Sequence, residues 1–155
     1  MSESRDLTPS DCLALLRAGS LGRVAVSTPD GPHIVPVNYS VFDDTVVVRT
    51  SSYSVLGTHA RDAVVALEID GWDPATRHGW SVVARGRATI ESDPRTIRAI
   101  RDAAPDAPWA GGTRNLYLRL RTDRLSGRAI GDLAPAATRA ALESLGTDVD
   151  AHART

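Results

Sequence analysis

Residues 21–50 read LGRVAVSTPDGPHIVPVNYSVFDDTVVVRT, a run that three antiparallel strands joined by short turns would satisfy. Between Leu21 and Ser27 the side chains alternate. Val24 and Val26 fall on one face and Arg23 and Ala25 on the other, the period of a half-buried strand. Asp30-Gly31 is a hairpin signal. The return strand, His33 to Phe42, contains Pro36, which has no N–H to give to a ladder, so it belongs at a sheet edge or carries a bulge there. Asp43-Asp44 turns the chain once more into Thr45–Thr50.

Upstream, Thr8-Pro9-Ser10-Asp11 opens a helix. Thr8 caps it, Pro9 suits its first turn and Asp11 lies near the positive end of its dipole. Leu13, Leu15 and Leu16 give it an apolar face, and Gly19 ends it. Downstream, Ser51 to His59 reads as a short helix and Ala63 to Asp70 as an apolar strand. A turn-rich Gly71-Trp72-Asp73-Pro74 follows, then a long strand from Gly79 to Ile90. Asp93-Pro94 caps a helix to Ala103, and residues 105–112 form a loop of prolines and glycines around Trp109. Strands Arg114–Thr122 and Arg124–Ile130 complete the sheet, and a last helix spans Ala136 to Leu145. The expected fold is mainly β with short helices, of α+β character: an antiparallel barrel of six or seven strands. Its expected organisation is a flexible N-terminus over 1–6, the barrel domain over 7–133, and a C-terminal helix and tail over 134–155.

The 155 residues suit one domain with a single core. A net charge of −1 gives no general pull toward nucleic acid or an anionic membrane. All 18 basic residues are arginine. Without lysine, the chain has no Schiff-base amine and no P-loop ammonium, so a bound phosphate must rely on arginine, hydroxyls or backbone N–H groups. The single Cys12 makes no internal disulfide, and His33, His59, His78 and His152 show no metal-ligand spacing. No apolar run approaches the roughly 18 residues of a membrane helix. The polar N-terminal MSESRDLTPSD lacks a signal region, so the cytoplasm is the expected compartment.

Three segments stand out as candidate sites. Arg49-Thr50-Ser51-Ser52-Tyr53-Ser54 leaves a strand with a guanidinium and enters a helix through hydroxyls. It suits a phosphate, and equally a capped helix beside a surface arginine. Pro36-Val37-Asn38-Tyr39 frees backbone groups from regular pairing and adds the donor and acceptor of Asn38, which suits the edge of a planar heterocycle or a plain edge strand with a bulge. Gly79-Trp80-Ser81 opens a long strand where a ring or hydroxyl can flank a ligand, although core packing also explains Trp80. Trp109 in its loop suits a ligand cover or a subunit interface. Arg85, Arg87, Arg95, Arg98 and Arg101 read as a solvated basic face.

In order, LTPSDCLALLRAGSLGRVAV, HIVPVNY, VVVRTSSYSVL, GWSVVARGRA and PWAGG resemble the pyridoxamine 5′-phosphate oxidase-related proteins, the split-barrel flavin-nucleotide-binding family, and especially its small actinobacterial-type members. The resemblance covers about residues 7–130. It implies a six-stranded split barrel of the FMN-binding type, working as a homodimer with its cofactor sites at the subunit interface. It would set Val37, Asn38 and Tyr39 along the isoalloxazine ring, and Thr50, Ser51 and Ser54, with Arg49 nearby, at the phosphate and ribityl chain. Ser81 would lie near the pyrimidine edge, with Trp109 approaching from the other subunit.

Two departures bear on function. Val55 stands where many relatives carry lysine, with Arg49 or Arg61 as substitutes, and Gly127-Arg128-Ala129-Ile130 stands where the true oxidase has Arg-x-His. The expectation is an FMN-dependent oxidoreductase of unstated substrate, transferring hydride through the flavin, and not an authentic pyridoxamine 5′-phosphate oxidase. The alternatives are a deazaflavin-dependent reductase, with Arg128 or the Arg95–Arg101 helix meeting the longer anionic tail, and a non-catalytic flavin carrier, sensor or cofactor-free relative.

Overall fold

The structure, a computed structural model, describes residues 4–104 and 113–131. In chain order these form β1 Ser4–Asp6, α1 Pro9–Ala18, β2 Leu21–Thr28, β3 Gly31–Phe42, β4 Thr45–Thr50 and α2 Val55–His59. Then come β5 Val64–Asp73, β6 His78–Glu91, α3 Pro94–Ala103, β7 Leu116–Arg121 and β8 Arg124–Ile130. The strands run β1-β8-β6-β5-β2-β3-β4-β7, and β6 also pairs with β7. That last pairing closes β6-β5-β2-β3-β4-β7 into a six-stranded antiparallel barrel, the split-barrel architecture expected. Closure depends on β6 changing neighbours along its length. Gly79–Arg85 lies against β8, and Ala88–Glu91 against β7.

Alternation fills the barrel. Val24 and Val26 point inward from β2, Val46 and Val48 from β4, Val65, Leu67 and Ile69 from β5, and Val82, Ala84 and Ala88 from β6. The helix α1 packs Cys12, Leu15 and Leu16 onto this core, and α2 adds Leu56. A capping box starts α1: the Asp11 N–H donates to Thr8 Oγ1 at 3.1 Å, and the Thr8 N–H to Asp11 Oδ2 at 3.3 Å. The helix α3 begins at Asp93, whose carboxylate accepts from the N–H groups of Arg95 and Thr96. The Thr96 hydroxyl, which donates to the same carboxylate at 2.7 Å, together with these backbone bonds holds the Asp93 carboxyl below its ordinary range.

The edge reading of Pro36 agrees with the structure. Residues 31–38 of β3 pair with β2 on one side, and β4 joins only from Tyr39 onward. Two stretches depart from the sequence reading. Gly71-Trp72-Asp73 is strand, paired with Trp80, Gly79 and His78, and the turn comes later. An indole covers each glycine there: a Cβ on Gly79 would lie 2.3 Å from the Trp72 ring, and one on Gly71 would lie 2.7 Å from Trp80 Nε1. Ser4–Asp6, expected as a flexible N-terminus, is a short strand held against Arg128–Ile130. The helix expected over Ala136–Leu145 lies outside the described residues.

Candidate functional site

Alternation along β4 turns Val46, Val48 and Thr50 inward and leaves Thr45, Val47 and Arg49 on the outer face, where α3 packs. Val47, Ile100 and Tyr117 form a second, smaller core there. Arg49 pairs in register with Tyr117, and its guanidinium lies 5.3 Å from that ring's centroid. Arg101 lies over the same ring at 5.9 Å and donates from Nε to the Tyr117 hydroxyl at 2.9 Å. Continuing the Ser40↔Val47 register by two residues along each chain's outer face sets Asn38 beside Arg49. Asn38, Arg49, Arg101 and Tyr117, with Gly19 and Ser20 at the end of α1, line a cleft of about 270 Å³. Arg49 Nε is buried with no hydrogen-bond partner among the described residues, and Arg114 Nε is the other such atom. Leaving a buried donor unpaired costs about 1–3 kcal/mol, so each marks a place suited to an acceptor.

The hydroxyls beyond β4 divide into two groups. Thr50 Oγ1 and Ser54 Oγ are 2.7 Å apart; Ser54 Oγ donates to the Ser51 carbonyl at 2.9 Å and accepts the Gly57 N–H at 2.9 Å. Thr50 is buried, and Ser54 is the cap of α2. Both hydroxyls therefore hold the turn. Gly57 permits that turn, since a Cβ there would fall 2.2 Å from the Ser51 carbonyl oxygen. Ser51 is half-buried and Ser52 exposed, and neither hydroxyl bonds to a described residue. Val55, where the resemblance led to an expected lysine, packs against the barrel core, and Arg61 is exposed.

The remaining predicted positions separate. Val37 and Tyr39 point into the core, and the Tyr39 hydroxyl donates to the Leu16 carbonyl at 2.8 Å. Burial pushes the Tyr39 phenol well above its ordinary value, so it stays neutral. Ser81 faces outward on β6, paired with Asp70 and Arg128, in another depression shared with Ser126 and Asp6. Three strand spacings, roughly 14 Å along the sheet, part it from Asn38. The chain thus unites Asn38 and Arg49 beside the Thr50–Ser54 turn, and leaves Ser81 apart. Trp109 lies outside the described residues. Sequence reasoning missed Tyr117 and Arg101 as neighbours of Arg49. Alternation through Leu116-Tyr117-Leu118 marked Tyr117 as outward, but nothing local tied it to β4.

Among the described residues, no group of His, Cys, Asp and Glu is arranged to hold a metal, and no helix is long and apolar enough to cross a membrane. Cys12 is buried beneath Gly127, and desolvation raises its thiol above the ordinary value, so it stays protonated.

Comparison with known proteins places this geometry. A family model described as pyridoxamine 5′-phosphate oxidase matches residues 8–129. An uncharacterized protein of Mycobacterium tuberculosis is 40% identical over 97 residues, which cover 59% of this chain and 64% of that protein, less than two thirds of its length. The structure of the FAD binding protein from Mycobacterium smegmatis is similar, with a TM-score of 0.64 and 27% identity over 82% of this chain and 98% of that one. A conserved protein of unknown function from Corynebacterium diphtheriae has a TM-score of 0.67 and 29% identity, again covering 82% of this chain and 98% of that one. Because the family match runs from the cap of α1 into β8, through every strand of the closed barrel, the chain belongs to the pyridoxamine 5′-phosphate oxidase family.

Proposed function

We propose that this chain binds a flavin nucleotide through its FMN half and acts as an oxidoreductase, at a site completed by a second copy of itself. The observation that carries the reading is Arg49, whose Nε is buried and unpartnered where a cleft opens beside Asn38. A guanidinium so placed suits a phosphate oxygen, and Asn38 lines the same cleft. The similar Mycobacterium smegmatis structure is of a FAD binding protein, and FAD contains the FMN half.

A bound flavin supplies hydride chemistry of its own, so the chain needs no nucleophile or acid–base pair for that step. Its own side chains would anchor the tail, orient the ring and limit access of water. In β8, Arg128 ion-pairs with Asp6 at 3.4 Å, and no histidine follows at the expected spacing, which argues against the vitamin-forming oxidase reaction.

The outer face of β5, β2 and β3 supports the second copy. No described helix covers it, and Leu21, Ile34 and Val64 are exposed there. A ligand shared between copies would also account for Ser81 lying so far from Asn38 within one chain.

Isothermal titration of the purified, flavin-stripped chain with FMN and FAD tests the reading. Saturable binding of either is expected, with the Arg49→Ala variant weakened at least about tenfold, the loss of one charge-assisted contact. A folded chain that takes up neither flavin overturns it.

A further inference from the structure

The described lining of the Asn38 cleft includes three arginines, Arg17, Arg49 and Arg101, and no aspartate or glutamate. Arg17 is answered by Asp44. Arg49 and Arg101 make no ion pair with a described residue. Two cations that open on one recess without a counter-charge repel each other, and an anion between them relieves that repulsion.

Packing fixes where both stand. Ile97 and Ile100 of α3 seat against Val47 and Tyr117 on the outer face of the barrel. Arg101, four residues after Ile97, follows on the same face of the helix. Arg49 reaches the same ring from β4, as the register partner of Tyr117. The two guanidinium carbons lie 5.3 and 5.9 Å from that one centroid, so both forks are within reach of a single tetrahedral anion.

Their donors are largely unspent. Arg101 commits its Nε to the Tyr117 hydroxyl at 2.9 Å, and no described residue accepts from its terminal nitrogens. Arg49 Nε is buried without a partner. The Tyr117 hydroxyl accepts from Arg101 and donates to no described residue, so its own proton is available to an acceptor. Two guanidinium forks and a phenol hydroxyl suit a phosphate monoester, which offers several acceptor oxygens and about two negative charges. A carboxylate, with two oxygens and one charge, would leave part of this set unused.

We infer that Arg101 is the second cationic ligand of the flavin phosphate beside Arg49, with Tyr117 as the residue that positions it. The inference rests on the flavin reading above and assigns that site's selectivity for the anion to a residue of α3. It makes Arg101 a determinant of phosphorylated over unphosphorylated flavin, because riboflavin shares the ring and ribityl chain but lacks the phosphate.

The test compares FMN with riboflavin by fluorescence-quenching titration of the full, flavin-stripped chain, with melting temperatures confirming that each variant folds. The wild-type chain is expected to favour FMN. Arg101→Ala should weaken FMN by about tenfold or more and leave riboflavin within about twofold. Tyr117→Phe, which keeps the ring but frees the Arg101 side chain, should give a smaller loss for FMN alone. That loss should vanish when Arg101 is already alanine. Arg121→Ala, which removes an equal charge from an exposed position at the other end of β7, should leave the FMN-to-riboflavin ratio unchanged. A folded Arg101→Ala protein with the wild-type ratio, or one matched in its loss by Arg121→Ala, overturns the role of Arg101 and leaves the flavin reading standing. An unaltered Tyr117→Phe protein overturns the positioning role alone. A wild-type chain that binds neither compound overturns the flavin reading, and this inference with it.

Discussion

Tyr39 sits on the boundary between scaffold and site. Its ring belongs to the barrel core and also lines the cleft, while its hydroxyl is spent on the Leu16 carbonyl near the end of α1. The approach is tight: a Cβ on Gly19 would lie 2.4 Å from that hydroxyl oxygen. The Tyr39→Phe variant should therefore lose a buried hydrogen bond worth about 1 kcal/mol and melt about 2–4 °C lower. Its affinity for FMN should stay within about twofold. Thermal melts and titration on the same sample decide this, and a collapse of flavin affinity at unchanged stability would assign the hydroxyl to the ligand instead. The sequence showed the polar character of Asn38, Arg49 and Ser54 but not how each is occupied. Ser54 reads the same whether it caps a helix or holds a phosphate, and only the bonds to Thr50, Ser51 and Gly57 distinguish the two.

Among the elements, β6 carries the largest structural burden, since it is the strand through which the barrel closes. Gly86 sits at the step where β6 passes from β8 to β7, and a Cβ there would fall 1.9 Å from the Arg121 carbonyl oxygen. Backbone cannot swing aside as a side chain can, so Gly86→Ala should destabilise the chain by about 3 kcal/mol. Gly79→Ala meets chiefly the exposed Trp72 indole, with the Gly71 carbonyl oxygen farther off at 3.0 Å, and should cost less than half of that, as read by urea unfolding of both variants. Element reading from sequence succeeded where local chemistry and fold agree. The alternation of β2, the cap of α1, and the Asp43-Asp44 turn, whose two residues take positive φ, were all legible. It stopped short where a distant neighbour decides. Gly71-Trp72-Asp73 has turn composition, yet pairing with His78–Trp80 makes it strand, and Ser4–Asp6 has no periodicity until β8 lies alongside it.

At the scale of the whole molecule, the described residues leave one sheet face of the barrel uncovered, and its edge bears on how the proposed second copy would dock. Among the described residues, no strand lies beyond residues 31–38 of β3, and such an edge ordinarily invites pairing. Pro32 and Pro36 are in phase along it, and neither offers an N–H, so edge-to-edge pairing is blunted there. The neighbouring face is different: Ile34 is 64% exposed and Val64 58%, beside Arg23, which is already neutralised by Glu68 at 2.8 Å. Association through the face is therefore favoured, with apolar area at its centre and little uncompensated charge to bury. If the chain pairs through this face as proposed, Ile34→Lys and Val64→Lys should each give a monomer where the wild type is a dimer, as measured by size-exclusion chromatography with light scattering, while the melting temperature changes little. Pro36→Ala, which alters the edge but not the face, should leave the dimer intact. If the flavin is held between copies, the two lysine variants should also release it on dilution. A wild-type chain that is monomeric at micromolar concentration with flavin bound would instead place the whole site within one barrel.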